Sequence, residues 1–357
     1  MRLKLFILLI GFSIFTKAQD PRLNQFQFQK LELNPAYGGH SGDGMMLFNL
    51  ASRTSFYPVR GPFTYSTTAI DFSPCKPANI GIGLLVNRES QGDGYYARTR
   101  VGLNLAYKVA LNKSNSLAFG IRPGFVQQTI NWDEFTFSDQ LDALNGISKP
   151  SFNHGAALDL SSTPNWDAGI KFNRYKRGKA KLMFGVSAFN LVKPQIGLLS
   201  RHTLNRRFSI HGSSFWNVTN PKYLFKSNFR ADFQGDNRLL AFNQEFILDK
   251  KLGFILGLNS PFSRKIRNDI NMFFVTIGGT YQFNPSLLIY ASYENNGMGR
   301  MIRGKTSSFE IGIIIRTERS VCQTNNLKDA FDFNTNKKIT TPLGCPKFST
   351  DGKIESF

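Results

Sequence analysis

The stretch Tyr95-Tyr96-Ala97-Arg98-Thr99-Arg100-Val101-Gly102-Leu103-Asn104-Leu105-Ala106-Tyr107-Lys108 interleaves two chemistries. Its odd positions read Tyr95, Ala97, Thr99, Val101, Leu103, Leu105 and Tyr107, while the even ones include Arg98, Arg100, Asn104 and Lys108. Successive side chains of a strand point to opposite faces, so one face suits hydrocarbon and the other water. Residues 222–233 separate in the same way, with Tyr223, Phe225, Phe229, Ala231 and Phe233 set against Lys222, Lys226, Asn228, Arg230 and Asp232. Leu204 to Ser214 and Met272 to Phe283 repeat the alternation.

Working outward, the same period recurs from about Met45 to Thr317. About fourteen such segments start near Met45, Phe63, Asn79, Tyr95, Ser116, Trp166, Ala180, Leu204, Tyr223, Arg238, Leu252, Asn271, Ser286 and Thr306. Most have the roughly 9 to 11 residues of a tilted membrane-crossing strand. Turn chemistry separates them at Gly92-Asp93-Gly94, Lys176-Arg177-Gly178, Gly235-Asp236-Asn237 and Asn284-Pro285. The expected fold is all-β, a single transmembrane antiparallel β-barrel over residues 45–317. An even strand count returns both ends to the periplasm and leaves the longer connections outside the cell. The longest runs from about Asn131 to Asn165, and Asn153 to Leu160 within it is a candidate extra strand whose entry into the wall would make the count odd. A soluble sandwich or propeller also alternates, but aromatic residues near strand ends and the scarcity of Pro within strands favour the membrane barrel.

The ends differ in character. Met1, Arg2 and Lys4 precede an apolar run, Leu5 to Phe15, and then Thr16-Lys17-Ala18. That is the pattern of a signal peptide over residues 1–18; the apolar run is too short to span a bilayer as a helix. Residues 19–44 and 318–357 do not alternate and are expected in the periplasm, as an N-terminal segment and a tail. An oxidising compartment would permit a bridge between Cys322 and Cys345 in the tail, with pairing of Cys75 to either one the alternative.

The formal net charge of +20 points either to an anionic partner, such as lipopolysaccharide phosphate, an acidic protein or an anion-attracting lumen, or merely to a basic proteome. Nucleic acid is not expected as a partner of an exported protein. The basic positions on the water-facing side, Arg98, Arg100, Arg207, Lys222, Lys226 and Arg230, allow two readings. They give the lumen a positive field, or each is a solvated lumen side chain or pairs with an acidic side chain across the barrel. Catalytic constellations are lacking in the sequence: His40, His154, His202 and His211 are scattered, and His211 is expected simply to line the lumen beside Arg207. Ile80-Gly81-Ile82-Gly83 has neither the third glycine nor the helix of a dinucleotide loop, so these are strand glycines. No enzyme activity, cofactor or metal site is expected.

Gln19-Asp20-Pro21, Asn24-Gln25-Phe26 and Leu33-Asn34-Pro35-Ala36-Tyr37-Gly38-Gly39 resemble the opening of the PorP/SprF family, in which a Gln-Phe pair precedes Leu-Asn-Pro-Ala-Tyr-x-Gly. Arg53 with Gly61-Pro62-Phe63-Thr64-Tyr65, Gly81-Ile82-Gly83 and Phe309-Glu310-Ile311-Gly312 extend the resemblance to about Arg316. A Trp common after the first-strand Arg is missing, and the 131–165 loop and cysteine-bearing tail look like additions. The resemblance implies an outer-membrane barrel of type IX secretion, working with periplasmic ring subunits and a peptidoglycan-binding lipoprotein and, in gliding bacteria, serving the export of surface adhesins. Gln25, Phe26, Asn34, Pro35, Tyr37 and Gly39 are then candidates for a partner-docking motif or for a segment that seals the barrel floor. Pro35 fixes its own φ, Tyr37 offers an aromatic anchor, and Gly38-Gly39 lets the chain turn into the first strand. The competing expectation is a porin or hydrophobic-compound channel with an N-terminal plug. Bulky side chains in the lumen would argue for a filled barrel instead.

Overall fold

The computed structural model describes residues 20–39, 45–57, 61–74, 79–92, 96–112, 114–131, 140–142, 146–147, 161–176, 179–196, 202–217, 223–263, 273–296 and 307–317. In chain order a helical turn α1 (Lys30–Leu33) and a 3-10 turn (Pro35–Tyr37) precede β1 (Met46–Tyr57), β2 (Phe63–Phe72), β3 (Ile80–Gln91), β4 (Tyr96–Asn112) and β5 (Asn115–Ile130). Two-residue pieces β6 (Leu141–Asp142) and β7 (Gly146–Ile147) lead to β8 (Ser161–Lys176) and β9 (Lys179–Phe189), and β10 (Gln195–Ile196) and β11 (His202–Thr203) to β12 (Arg207–Asn217). β13 (Tyr223–Gln234), β14 (Asn237–Leu248), β15 (Leu252–Ser263), β16 (Phe274–Asn284), β17 (Leu287–Asn296) and β18 (Ser307–Arg316) follow. Fourteen of these close a barrel in the order β1-β18-β17-β16-β15-β14-β13-β12-β9-β8-β5-β4-β3-β2. The wall is antiparallel throughout and is sealed where β1 pairs with β18, from Leu47 opposite Arg316 to Tyr57 opposite Ser307.

The fourteen expected strands are the fourteen wall strands, most starting within a residue of the expected positions. Of the three exceptions, β16 begins at Phe274, three residues after Asn271, which lies outside the described residues; the other two have a physical reason. β8 begins at Ser161, five residues before Trp166, because Ser161-Ser162-Thr163-Pro164-Asn165 is polar on both faces and carries no alternation. β12 begins at Arg207, later than Leu204, because Leu204 instead donates its N–H to the Pro194 carbonyl across the preceding loop. β5 pairs directly with β8. The candidate strand Asn153 to Leu160, Cys75, Cys322, Cys345 and the tail all lie outside the described residues.

Alternation is what builds the wall. Along β4, Leu103, Leu105 and Tyr107 are exposed on the outside, whereas Asn104 and Ala106 are buried within. The outer belt continues with Phe119, Ile121, Phe229, Phe242, Leu256 and Ile277, the last 64% exposed. A continuous apolar girdle of this extent is stable only against hydrocarbon. The turns use the residues the sequence marks. Gly92 and Gly235 sit at φ 62° and 60°, in the left-handed region that glycine tolerates. The Asn284 side chain accepts from the N–H groups of Ser286 and Leu287, closing the β16–β17 hairpin.

Candidate functional site: a plugged lumen

Side chains alone fill the interior of a barrel of about eight strands, whereas barrels of 16 to 18 leave an aqueous channel. Fourteen strands therefore leave space, and residues 20–39 occupy it. Where a periplasmic segment is expected from the sequence, this stretch threads the lumen. It starts at Asp20, beside the loop that follows β9, and reaches Gly39, at the end of the barrel where β1 begins. Leu23, Phe26, Phe28, Leu31, Leu33 and Tyr37 are all buried against the wall. The apolar surface of the plug thus meets two patches of the wall, Tyr65, Ile255, Leu288 and Ile314 in one and Ala69, Leu85, Met183 and Ala241 in the other.

Most of the plug has no regular secondary structure, so its backbone groups need side-chain partners from the wall. Glu310 on β18 accepts from two successive N–H groups, Asn24 at 2.6 Å and Gln25 at 3.1 Å. Asn243 donates to the Asn24 carbonyl and to the Gln27 side chain, and Asn49 donates to the Phe28 carbonyl at 2.6 Å. Gln29 answers by donating to Asn49 and to the Tyr290 hydroxyl at 2.7 Å. Arg122, paired with Asp167, donates to the Leu31 carbonyl, and Ser187 donates to that of Leu33. Glu32 is received by the Tyr65 hydroxyl at 2.9 Å.

The Asn-Pro-Ala-Tyr-Gly-Gly run is the base of the plug. Asn34 caps the 3-10 turn by accepting from the Ala36 N–H at 2.8 Å, while its amide donates to the Ile170 and Val186 carbonyls of β8 and β9. Pro35 suits the first position of that turn, where no N–H is needed. The Tyr37 ring receives the Lys171 ammonium 4.3 Å from its centroid and sits 5.8 Å from the His211 ring. Gly39, at φ 70°, donates to Asp71 at 2.6 Å as the chain turns towards β1.

The wall accommodates this run with glycines. A Cβ at Gly81 would lie inside the contact distance of the Gly38 carbonyl, and one at Gly120 would collide with the Pro35–Ala36 peptide. Of the strand glycines read from Ile80-Gly81-Ile82-Gly83, Gly81 therefore marks where the plug backbone touches the sheet, and Gly83 faces the Leu31 side chain. Gly120→Val is expected to unseat the plug base, at a cost of roughly 1–3 kcal/mol or more from overpacking against backbone. Limited proteolysis followed by mass spectrometry should show cleavage within 20–39 that the wild type resists. Unchanged resistance would mean that the plug lies elsewhere.

At the far end of the plug, Asp20 is 4% exposed and sits among three arginines. Arg100 lies 3.2 Å away, Arg207 3.5 Å and Arg98 3.8 Å, and Asn190 donates to it at 2.9 Å. Of the lumen-facing cations read from the sequence, Arg98 also pairs with Glu89, Lys226 with Glu245 and Arg230 with Asp232. These cations therefore do pair with acids, but along their own or the neighbouring strand and not across the barrel, and Lys222 lies outside the described residues. His211, expected to line the lumen beside Arg207, is buried there against the plug, 5.8 Å from the Tyr37 ring. The docking or sealing candidates Gln25, Phe26, Asn34, Pro35 and Tyr37 are buried inside the lumen. Sequence reasoning singled out Glu310 within a motif but not as the partner of the plug, and it missed the plug's further partners Asn49, Asn243 and Asn190, which carry no signal beyond being polar.

Burial, the largest influence on Asp20, pushes its carboxyl up, but Arg100, Arg207 and Arg98 together hold it below the usual carboxylate range. A lowered folded value means that its contribution to plug seating is present above about pH 4 and is lost as pH falls below it. Glu32 has the opposite sign. Burial raises it, so its contribution is present below about pH 4 and fades as pH rises. Protease protection of the plug should accordingly hold from neutrality down to about pH 4 and weaken below it. Asp20→Asn should flatten that acid limb, and an unaltered limb would remove Asp20 as its origin.

A closed barrel with an apolar outer belt and a lumen sealed by its own N-terminal segment defines the class, a plugged β-barrel of the outer membrane. A family model described as type IX secretion system membrane protein PorP/SprF matches residues 15–328, and the chain belongs to that family. No curated protein matches the chain. Among solved structures, a TodX deltaS2S3 mutant monoaromatic hydrocarbon channel is similar at 10% identity and TM-score 0.49, covering 80% of this chain and 92% of that one. The CymD monoaromatic hydrocarbon channel is similar at 11% identity and TM-score 0.49, covering 82% and 92%. The Ralstonia pickettii toluene transporter TbuX stands at 11% and 0.46, covering 81% and 92%.

Proposed function

We propose that the protein is a closed, non-catalytic scaffold of the type IX secretion and gliding machinery. In this reading it docks periplasmic ring subunits and a peptidoglycan-binding lipoprotein and supports the export or anchoring of surface adhesins. The observation that carries the reading is the occupied lumen. Two cavities between plug and wall measure about 20 Å³, lined by Asp20, Glu32, Glu89, Arg98, Arg100 and Arg207, and about 40 Å³, lined by Phe28, Leu31, Tyr37, Leu47 and Ile314. Spaces of that size hold a water or two, not a solute.

A barrel so filled acts through its rims. The Leu-Asn-Pro-Ala-Tyr-Gly-Gly motif serves sealing, since its side chains are spent on wall contacts, and partner contacts fall to the exposed turns and the tail. Lipid and lipopolysaccharide meet the apolar belt. A pull-down of the tagged native protein from outer membranes in mild detergent tests the reading. Secretion-ring subunits or a large adhesin should co-purify. A barrel that purifies alone and conducts ions in a planar bilayer would replace the scaffold with the alternative, a channel for hydrophobic compounds.

A further inference from the structure

We propose that Arg98, Arg100, Arg207 and Asn190 form a carboxylate-binding site in the lumen, and that Asp20 is its tethered resident ligand. Counting the charges shows why the site demands an anion. Arg122 is matched by Asp167 and Arg98 by Glu89. Arg100 and Arg207 have Asp20 as their only carboxylate within ion-pair distance among the described residues. Arg207 is 2% exposed and Arg100 12%, so neither can exchange this partner for bulk water. Glu32 lines the same cavity beyond ion-pair distance, so without Asp20 the two guanidinium groups lose the one carboxylate they touch, which is strongly unfavourable.

The groups around the carboxylate are positioned independently of it. Arg207 is laid over the Phe189 ring, 4.1 Å from its centroid, at the top of β9. Asn190, at φ 58°, is fixed by its N–H donating to Asp167 at 2.9 Å and by its amide donating to the Asn205 carbonyl. Arg100 donates both to Asn190 and to Asp20. Each oxygen of the carboxylate is therefore met. One takes Arg100 and Arg98, the other Asn190 and Arg207. The cavity of about 20 Å³ beside it is lined by the same arginines. Retention of the plug's first residues is then a binding equilibrium for a monocarboxylate, and a side-chain or free carboxylate of another source is the competing ligand.

The test is chemical rescue. Asp20→Gly removes the anion and vacates the space its carboxylate fills, and sodium formate is supplied at the same ionic strength as a sodium chloride control. In chloride, proteolytic cleavage within 20–39 should rise at least tenfold over the wild type, and formate should restore most of the protection. The double variant Asp20→Gly/Arg100→Gln should show no response to formate, which separates the site from general salt effects. If Asp20→Gly does not refold in chloride, refolding yield becomes the readout, and dependence on formate supports the site. Protection equal to the wild type, or a loss or yield that is the same in formate and chloride, overturns it.

Discussion

Deletion of residues 20–39 should turn a barrel without steady current into one that opens discrete conductance steps in a planar bilayer. The wall does not depend on the plug for its hydrogen bonds, since β1 pairs with β18 and every other strand pairs with its neighbours. The deleted stretch precedes β1, so no strand is cut. Without it, a lumen lined by Asn49, Asp71, Arg100, Arg207, Asn243 and Glu310 faces water, which hydrates such groups readily. Between eight strands and the 16 to 18 of porins, fourteen leave room for water to pass. Heat-modifiable electrophoretic mobility would confirm that the variant is folded. A folded variant that stays silent would mean that the long loops close the lumen instead.

The wall was legible because a membrane barrel imposes a strict period of two, which Leu103, Asn104, Leu105 and Ala106 display without tertiary context. Legibility failed where both faces meet the same medium, as at Ser161 to Asn165. The plug was legible as a motif but not as a location. Gln25, Gln27 and Gln29 are polar, and polar residues outside strands read as solvent-facing; yet all three are buried, because the medium inside the barrel is itself made of amides and carboxylates. Nothing in the spacing of Glu310 or Asn243 says that a backbone 286 or 219 residues away is its partner. The glycines gave the one local hint. Gly81 and Gly120 weaken strands for no local reason, and the plug supplies the reason.

Glu310→Ala is expected to release the middle of the plug. The two N–H groups held by this carboxylate belong to Asn24 and Gln25, which lie in the extended stretch between Asp20 and α1 and have no helical or ladder partner. Alanine leaves both donors buried and unmet, at about 1–3 kcal/mol each, so roughly 2–6 kcal/mol of local seating is lost. Amide exchange at Asn24 and Gln25 should accelerate by about 30-fold to about 20,000-fold, each 1.4 kcal/mol being a factor of ten. Glu310→Gln keeps one acceptor oxygen but turns an amide towards the second donor, and should fall between alanine and the wild type. Directly opposite Glu310 on the neighbouring strand β1, Arg53 tests the specificity of the effect. It pairs with Glu294 and donates to the Arg22 carbonyl, so its loss should speed exchange near Arg22 more than at Gln25. Wild-type exchange at Asn24 and Gln25 in Glu310→Ala would mean that the plug is seated by its apolar contacts alone. The Phe309-Glu310-Ile311-Gly312 stretch would then matter only through Gly312, where the Tyr290 ring packs.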